Sequence, residues 1–282
     1  MKKFLIRTNE SKDEKLEFTH QLADKIVKLG GSADIELMDD FRIRNEGSAQ
    51  NPKTGYDCVL VLGGDGTMLR AARDYVDTGI LLCGINLGTV GYLTEVDSEN
   101  VDTAIERLMR DDYMVQERMM LEGEAQNSEG TFGKFHALND IVVSKSGSFQ
   151  AINFDIYVNG RFLKNYSADG VIVSTPTGST GYNLSAGGPI VEPDSNIVVL
   201  TPVSPHTLIS RSIVLSGKDE IKIVIAKGKN GGVQSAVAMA DAQTHFDLES
   251  DDSIEIRRSA NKVKFAKLNS TSFLDTLKGK LQ

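Results

Sequence analysis

Gly63-Gly64-Asp65-Gly66-Thr67 sets three glycines around one carboxylate. Glycines let a backbone come close to phosphate oxygens, and a turn that opens a helix adds partial positive charge at the same place. A carboxylate inside such a cradle repels phosphate unless a cation intervenes or the carboxylate faces a hydroxyl. Asp65 therefore points to a divalent cation such as Mg2+, or to a general base acting on an acceptor alcohol. The competing reading is a structural Asp that caps the helix after Gly64. The spacing is neither GxxxxGK[ST] nor GxGxxG, so ordinary nucleotide-fold arguments do not transfer.

A second stretch, Asn165 to Pro193, reads NYSADGVIVSTPTGSTGYNLSAGGPIVEP. Its apolar run, Val171 to Val173, is entered through Asp169-Gly170 and left through a tract of Ser, Thr, Gly and Pro. That tract predicts exposed backbone donors and short hydroxyls, which suit a ligand rich in hydroxyls and phosphates; the competing reading is a long structural turn. The four histidines, His20, His136, His206 and His245, lack metal-ligand spacing, so any metal should arrive with the substrate. Cys58 and Cys83 sit inside apolar runs and read as small buried hydrophobes.

The elements that position these residues come from periodicity. Phe4 to Thr8 predicts a strand, and Ser11 to Glu14 a capping box opening an amphipathic helix with Leu16, Thr19, Leu22, Ala23, Ile26 and Val27 on one face, stopped by Gly30-Gly31. Ala33 to Met38 predicts a second strand, and Arg44 to Gly55 an exposed loop. Asp57 to Leu62 is a strand running into the Gly-Asp loop, with a helix over Thr67 to Val76. Ile80 to Ile85 is the next strand, the loop NLGTVGYLT follows, and Ser98 is the expected N-cap of a helix through Met109. Strands alternating with helices predict a parallel, doubly wound sheet, an α/β domain over residues 1–112.

From Tyr113 the pattern changes to β-type runs: Phe135 to Ser144, Ile152 to Val158, Arg161 to Tyr166, Val171 to Ser174, Ile197 to Leu200, Ile221 to Ala226, Gln234 to Met239, Ile254 to Arg258 and Val263 to Leu268. They predict a β-rich domain over residues 113–268, with a type I′ hairpin at Asn159-Gly160, and a tail, 269–282, that ends in a short helix over Ser272 to Leu281. A chain of 282 residues, 40% of them hydrophobic, accommodates two such domains. The net charge of −8 supplies no basic field, which argues against nucleic acid as a partner. No run reaches the ~18 apolar residues of a membrane span, and MKKFLIRTNE is too short in apolar residues for a signal peptide, so the expected place is the cytoplasm, away from membranes.

GGDGTML after one strand, LGTVGYLTE after the next, Asn139-Asp140 in ALNDIVV, and DGVIVSTPTGSTGYNLSAGGPIV together resemble the NAD kinase family, in the right order across most of the chain. The resemblance implies a Rossmann-like amino-terminal domain, a β-sandwich-like carboxy-terminal domain, an active site between them, and a homotetramer or homodimer. It implies ATP, or polyphosphate, as the donor with Mg2+ or another divalent cation, and NAD as the acceptor through its adenosine ribose 2′-hydroxyl.

Carried over residue by residue, Asp65 resembles the family's proton acceptor, Gly63, Gly64 and Gly66 its phosphate loop, and Arg70 a basic residue near the dinucleotide. Asn139 and Asp140 fall on a pair that contacts the adenosine, where many members have Glu second. Asp169 matches a carboxylate near the nicotinamide, and Thr177 a neighbouring hydroxyl. The segment that wraps the dinucleotide corresponds to Thr180, Gly181 (where Ala is common), Tyr182, Asn183, Leu184 and Ser185. Gln150, Ser167 and Gln243 fall on further contact positions, and His206, in Pro205 to Leu208, reads as structural or at a subunit contact. Two alternatives remain: a lipid kinase of the diacylglycerol or sphingosine type, which shares the GGDG loop, and a non-catalytic dinucleotide sensor.

Overall fold

The computed structural model describes residues 1–38, 44–45, 52–88, 91–147, 150–207, 210–269 and 272–280. By contact the chain forms two units: Met1–Arg42, Ala49–Arg118 and Asn261–Gln282, and Ile43–Ser48 with Met119–Ala260.

In the first unit the apolar runs become parallel strands. Elements β1 (Lys3–Asn9), α1 (Glu17–Lys28) and β2 (Ser32–Met38) open the chain. The two-residue β3 (Arg44–Asn45) belongs to the second unit. Then come β4 (Cys58–Gly63), α2 (Asp65–Tyr75), β5 (Leu81–Asn86), β6 (Val96–Asp97) and α3 (Val101–Met109). The sheet order is β2-β1-β4-β5, all parallel, with Ile6 beside Ile35 and Leu60, and Leu60 beside Cys83. Every residue of β4 and β5 is buried. A strand covered on both faces reads as an unbroken apolar run, which is why CVLVLG and LLCGIN are legible. The register ends with Gly63 opposite Asn86, so the Gly-Asp loop and the NLG loop leave adjacent strands at the carboxyl edge.

Two predicted helix starts are corrected. Helix α1 begins at Glu17, after Leu16 at φ 54°, and Ser11 bonds Asn9. Asp13 takes the capping role, accepting the Thr19 N–H at 2.8 Å and the Thr19 hydroxyl at 2.7 Å. Val27 is 59% exposed, whereas Thr19, Leu22 and Ile26 are buried; Val27 stands five residues past Leu22, about 140° around the helix. Ser98 opens a 3-10 turn, Ser98–Asn100, and Asn100 rather than Ser98 is the N-cap of α3. Of the predicted loop Arg44 to Gly55, residues 46–51 lie outside the described residues, as do Thr89, Val90, Leu208 and Leu281.

The rest of the chain is β7 (Met114–Asn127), β8 (Gly130–Ala137), β9 (Asp140–Lys145), β10 (Ile152–Val158), β11 (Arg161–Ala168), β12 (Gly170–Ser174), the single turn α4 (Tyr182–Ser185), β13 (Ile197–Val203), β14 (Ile213–Ser216), β15 (Ile221–Ile225), β16 (Ser235–Ala240), β17 (Thr244–Glu249), β18 (Ser253–Lys267) and α5 (Phe273–Lys280). One sheet of the second unit runs β14-β13-β12-β9-β16-β17-β3, antiparallel except for the β17–β3 pair. Opposite it, β11-β10-β15 and the start of β18 form an antiparallel ladder. Ile141, Val143, Val171 and Val173 from the first sheet and Phe154, Ile156, Ile223 and Ile254 from the second share one core, the sandwich arrangement.

Asn159 and Gly160 have φ of 51° and 74°, as a type I′ turn requires. The run predicted from Phe135 to Ser144 is two strands, β8 and β9, broken at Leu138-Asn139. The two runs predicted from Ile254 and Val263 are the single strand β18, whose last pairs, Lys264 with Leu81 and Phe265 with Leu82, belong to the first unit. The tail helix α5 carries a side-chain cap: the Asp275 N–H donates to Ser272 Oγ at 3.1 Å and the Ser272 N–H to Asp275 Oδ2 at 3.0 Å.

Candidate active site

Gly63 lies at φ 154°, and a Cβ there would meet Thr67 Oγ1 at 2.3 Å, so only glycine lets β4 turn into α2 this tightly. Asp65 follows in the first turn of α2, half-buried. It makes no capping bond at Gly64. Instead, its Oδ2 accepts the Tyr92 N–H at 2.8 Å and its Oδ1 the Leu93 N–H at 3.0 Å. The loop after β5 thus orients the carboxylate through both oxygens, each of which keeps a lone pair for another donor. Gly91 makes room for it, since a Cβ there would stand 1.8 Å from Asp65 Oδ1. That requirement was hidden in LGTVGYL, where only the glycine itself gave a signal. Arg70 is 8% exposed, five residues beyond Asp65.

In the second unit the Ser/Thr/Gly tract departs from the expected exposed turn. Residues Ser174 to Ser179 are buried, and Ser174, Thr175 and Ser179 spend their hydroxyls internally: Ser174 Oγ donates to Thr175 O at 3.0 Å, Thr175 Oγ1 to Leu138 O at 2.6 Å, and Ser179 Oγ to Pro176 O at 2.6 Å. The tract folds into a 3-10 turn, Thr177–Thr180, followed by α4. Asn183 is fully buried; its amide nitrogen donates to Ser179 O and Pro189 O, and its Oδ1 accepts the Thr201 hydroxyl. Its side chain shapes the segment and is not available to a ligand. Exposure begins at Thr180, with Tyr182, Leu184 and Ser185 open to solvent.

This turn lies against the Asn139-Asp140 pair. A Cβ on Gly178 would stand 2.1 Å from Asn139 O, whereas one on Gly181 would lie 3.4 Å from Asn139 Nδ2 and 3.9 Å from Asp140 Oδ2. Asp140 is 5% exposed. Burial, with the nearby Asp241 charge as a second cause, pushes its carboxyl up to about 7. Gln243, 7% exposed, ends the tight turn that Asp241 begins. Asp169 forms an ion pair with Lys145 at 2.7 Å, a partner that sequence reading missed because Lys145 closes an apolar strand without a motif.

Gln150 and Ser167 line a separate cleft of about 940 Å³ in the second unit, together with His206, Asn153 and Gln234. The structure therefore groups Asp65 and the three glycines in the first unit, and Asn139, Asp140, Thr177, Gly181 and Gln243 in the second. Among the described residues no group of three or more His, Cys, Asp or Glu is arranged to hold a metal.

Residues 5–113 match the ATP-NAD kinase N-terminal domain, and residues 138–268 the ATP-NAD kinase C-terminal domain. The NAD kinase of Agathobacter rectalis is 43% identical over 286 residues, covering 100% of this chain and 99% of that one. The NAD kinase of Acetivibrio thermocellus is 37% identical over 286 residues, covering 100% and 97%. Among solved structures, a yeast NADH kinase complexed with NADH superposes with a TM-score of 0.87 at 22% identity, covering 99% of this chain and 87% of that one. An NAD kinase from Archaeoglobus fulgidus in complex with ATP gives 0.76 at 26% identity, covering 99% and 98%.

Proposed function

Because this chain belongs to the NAD kinase family, an enzyme family that phosphorylates NAD, we propose that it moves the γ-phosphoryl group of ATP to the adenosine ribose 2′-hydroxyl of NAD, with Asp65 as the proton acceptor. The observation that carries the role of Asp65 is its anchoring by two backbone N–H groups at the start of α2, which aims the carboxylate without using it as a cap. The lipid-kinase and sensor readings find no support in the relatives.

In this reading the ribose oxygen attacks the γ-phosphorus, the bond from that phosphorus to the β-bridging oxygen breaks, and ADP leaves. The hydroxyl proton passes to an Asp65 oxygen and then to solvent. A carboxylate is a far weaker base than an alkoxide, so the proton moves late, when the oxygen has already lost charge to phosphorus. Most of the catalysis is then positioning. Gly63, Gly64 and Gly66 let the backbone at the amino end of α2 approach the phosphates. Mg2+ enters as part of the ATP complex and neutralises phosphate charge.

The second unit binds the dinucleotide: Asn139 and Asp140 at the adenosine, Asp169 toward the nicotinamide, and Thr177, Thr180, Gly181, Tyr182, Leu184 and Ser185 along its length, with Gln150, Ser167 and Gln243 as further contacts. We place the enzyme in the cytoplasm as a homotetramer or homodimer. No helix among the described residues is long and apolar enough to cross a membrane. Incubating the pure protein with ATP, Mg2+ and NAD should yield NADP, and no NADP at any donor concentration overturns the proposal.

A further inference from the structure

The reaction outlined above does not use Asp241, which is 6% exposed in the turn between β16 and β17. Its Oδ2 accepts the Leu138 N–H at 2.8 Å, and its Oδ1 accepts the N–H groups of Asn139 at 2.8 Å and Asp140 at 3.1 Å. Its own N–H donates to Asp140 O at 3.0 Å. These donors lie where β8 stops and β9 begins, and the sheet ladder leaves them to this carboxylate. The turn that delivers it is unusual: Asp241 and Ala242 have φ of 48° and 55°, successive left-handed positions that favour glycine. From the other side Gly178 presses on Asn139 O, and Thr175 Oγ1 links Leu138 O to the Gly178 N–H. The Asn139-Asp140 backbone is therefore clamped between two loops that are remote in sequence.

We propose that Asp241 is a positioning residue for the acceptor substrate: by fixing three consecutive backbone N–H groups it sets the direction in which Asn139 and Asp140 present their side chains to NAD. The proposal rests on the reading that this pair holds the dinucleotide. A carboxylate is needed because three donors converge on two oxygens. An amide of the same size offers one acceptor and turns an NH2 group toward a donor.

The test is Asp241→Asn, assayed beside Asn139→Ala and the double variant. Asp241→Asn should raise KM for NAD on the order of tenfold, by misplacing the contacts, and leave KM for ATP within about twofold. The double variant should be no worse for NAD than the weaker single one. Because loss of Asp241 also loosens the fold, the same change is made with Ala242→Gly, which suits the left-handed backbone and restores melting temperature without restoring the acceptor. Weak NAD binding that persists when Tm has recovered supports the positioning role. Binding that recovers together with Tm, or additive losses in the double variant, overturns it. If Asn139→Ala itself leaves NAD affinity unchanged, the underlying assignment fails. If Asn139→Ala is impaired and Asp241→Asn is normal, only the positioning role fails.

Discussion

At Asp65, catalyst and scaffold make opposite forecasts. Asp65→Asn keeps the size and one acceptor oxygen but loses the base, so kcat should fall ~10²- to 10⁴-fold while NAD still binds. The carboxylate also receives the Tyr92 and Leu93 N–H groups, so Tm must be measured on the same preparation. A stable variant with near-normal turnover ends the proposed role. Asp140 makes a different forecast, in pH. Its folded carboxyl titrates at about 7, against ~3.9 in an unfolded chain. Between those values the folded state holds a proton that the unfolded state has released, so stability falls as pH rises from about 4 to about 7 and levels off above. Asp140→Asn removes that slope. The Tm of the variant minus that of the wild type should therefore climb through this window, and a difference that does not change with pH would refute the assignment.

The turn that follows β12 holds its shape through contacts with the start of β9, and glycine sets the distance. Gly178→Ala drives a Cβ into Asn139 O, a backbone atom that cannot swing away, and should cost about 2 kcal/mol or more of stability together with NAD affinity. Gly181→Ala, whose added carbon would stand 3.3 Å from Gly178 O, a tight contact that a small shift relieves, should cost far less in melting and in NAD binding. Equal effects at the two sites would contradict this account of the turn. The same elements show what sequence can carry. Strands β1, β4, β5 and β10 were legible because burial left unbroken or alternating apolar runs. Strand β7, MVQERMMLEGEAQN, was not, because its inward face, Met119, Leu121, Gly123 and Ala125, ends in two small residues, and Arg118 is buried beside it. The break at Leu138-Asn139 was invisible because Asp241, which satisfies the freed backbone, lies about a hundred positions away. The motif tract was recognised, yet the inward turn of its hydroxyls depends on partners such as Leu138 O and Val191 that spacing does not encode.

For the molecule as a whole, the family match spans both units, so the two halves of the chemistry are assigned together. Strand β11 closes one edge of its ladder, and Phe162 and Leu163 on it are 58% and 41% exposed. An edge of that kind, with apolar side chains open to solvent, is a template for pairing with another chain. The protein should therefore run in light scattering well above the 30.7 kDa of one chain. A strictly monomeric enzyme with full activity would contradict the assembly we propose.

The two sulfhydryls of the chain, Cys58 and Cys83, sit in adjoining strands of the first unit at 0% and 1% exposure. Burial holds Cys58 well above an ordinary thiol and Cys83 at about 12. Alkylating reagents consume thiolate, so labelling waits until β4 and β5 come apart. The second unit has no cysteine at all. The native chain thus carries its own stopwatch, wired to one unit and blind to the other. NAD, which our assignment gives mainly to the second unit, should slow that stopwatch only to the extent that the two units open as one, so the alkylation rate with and without NAD measures their energetic coupling without any added probe.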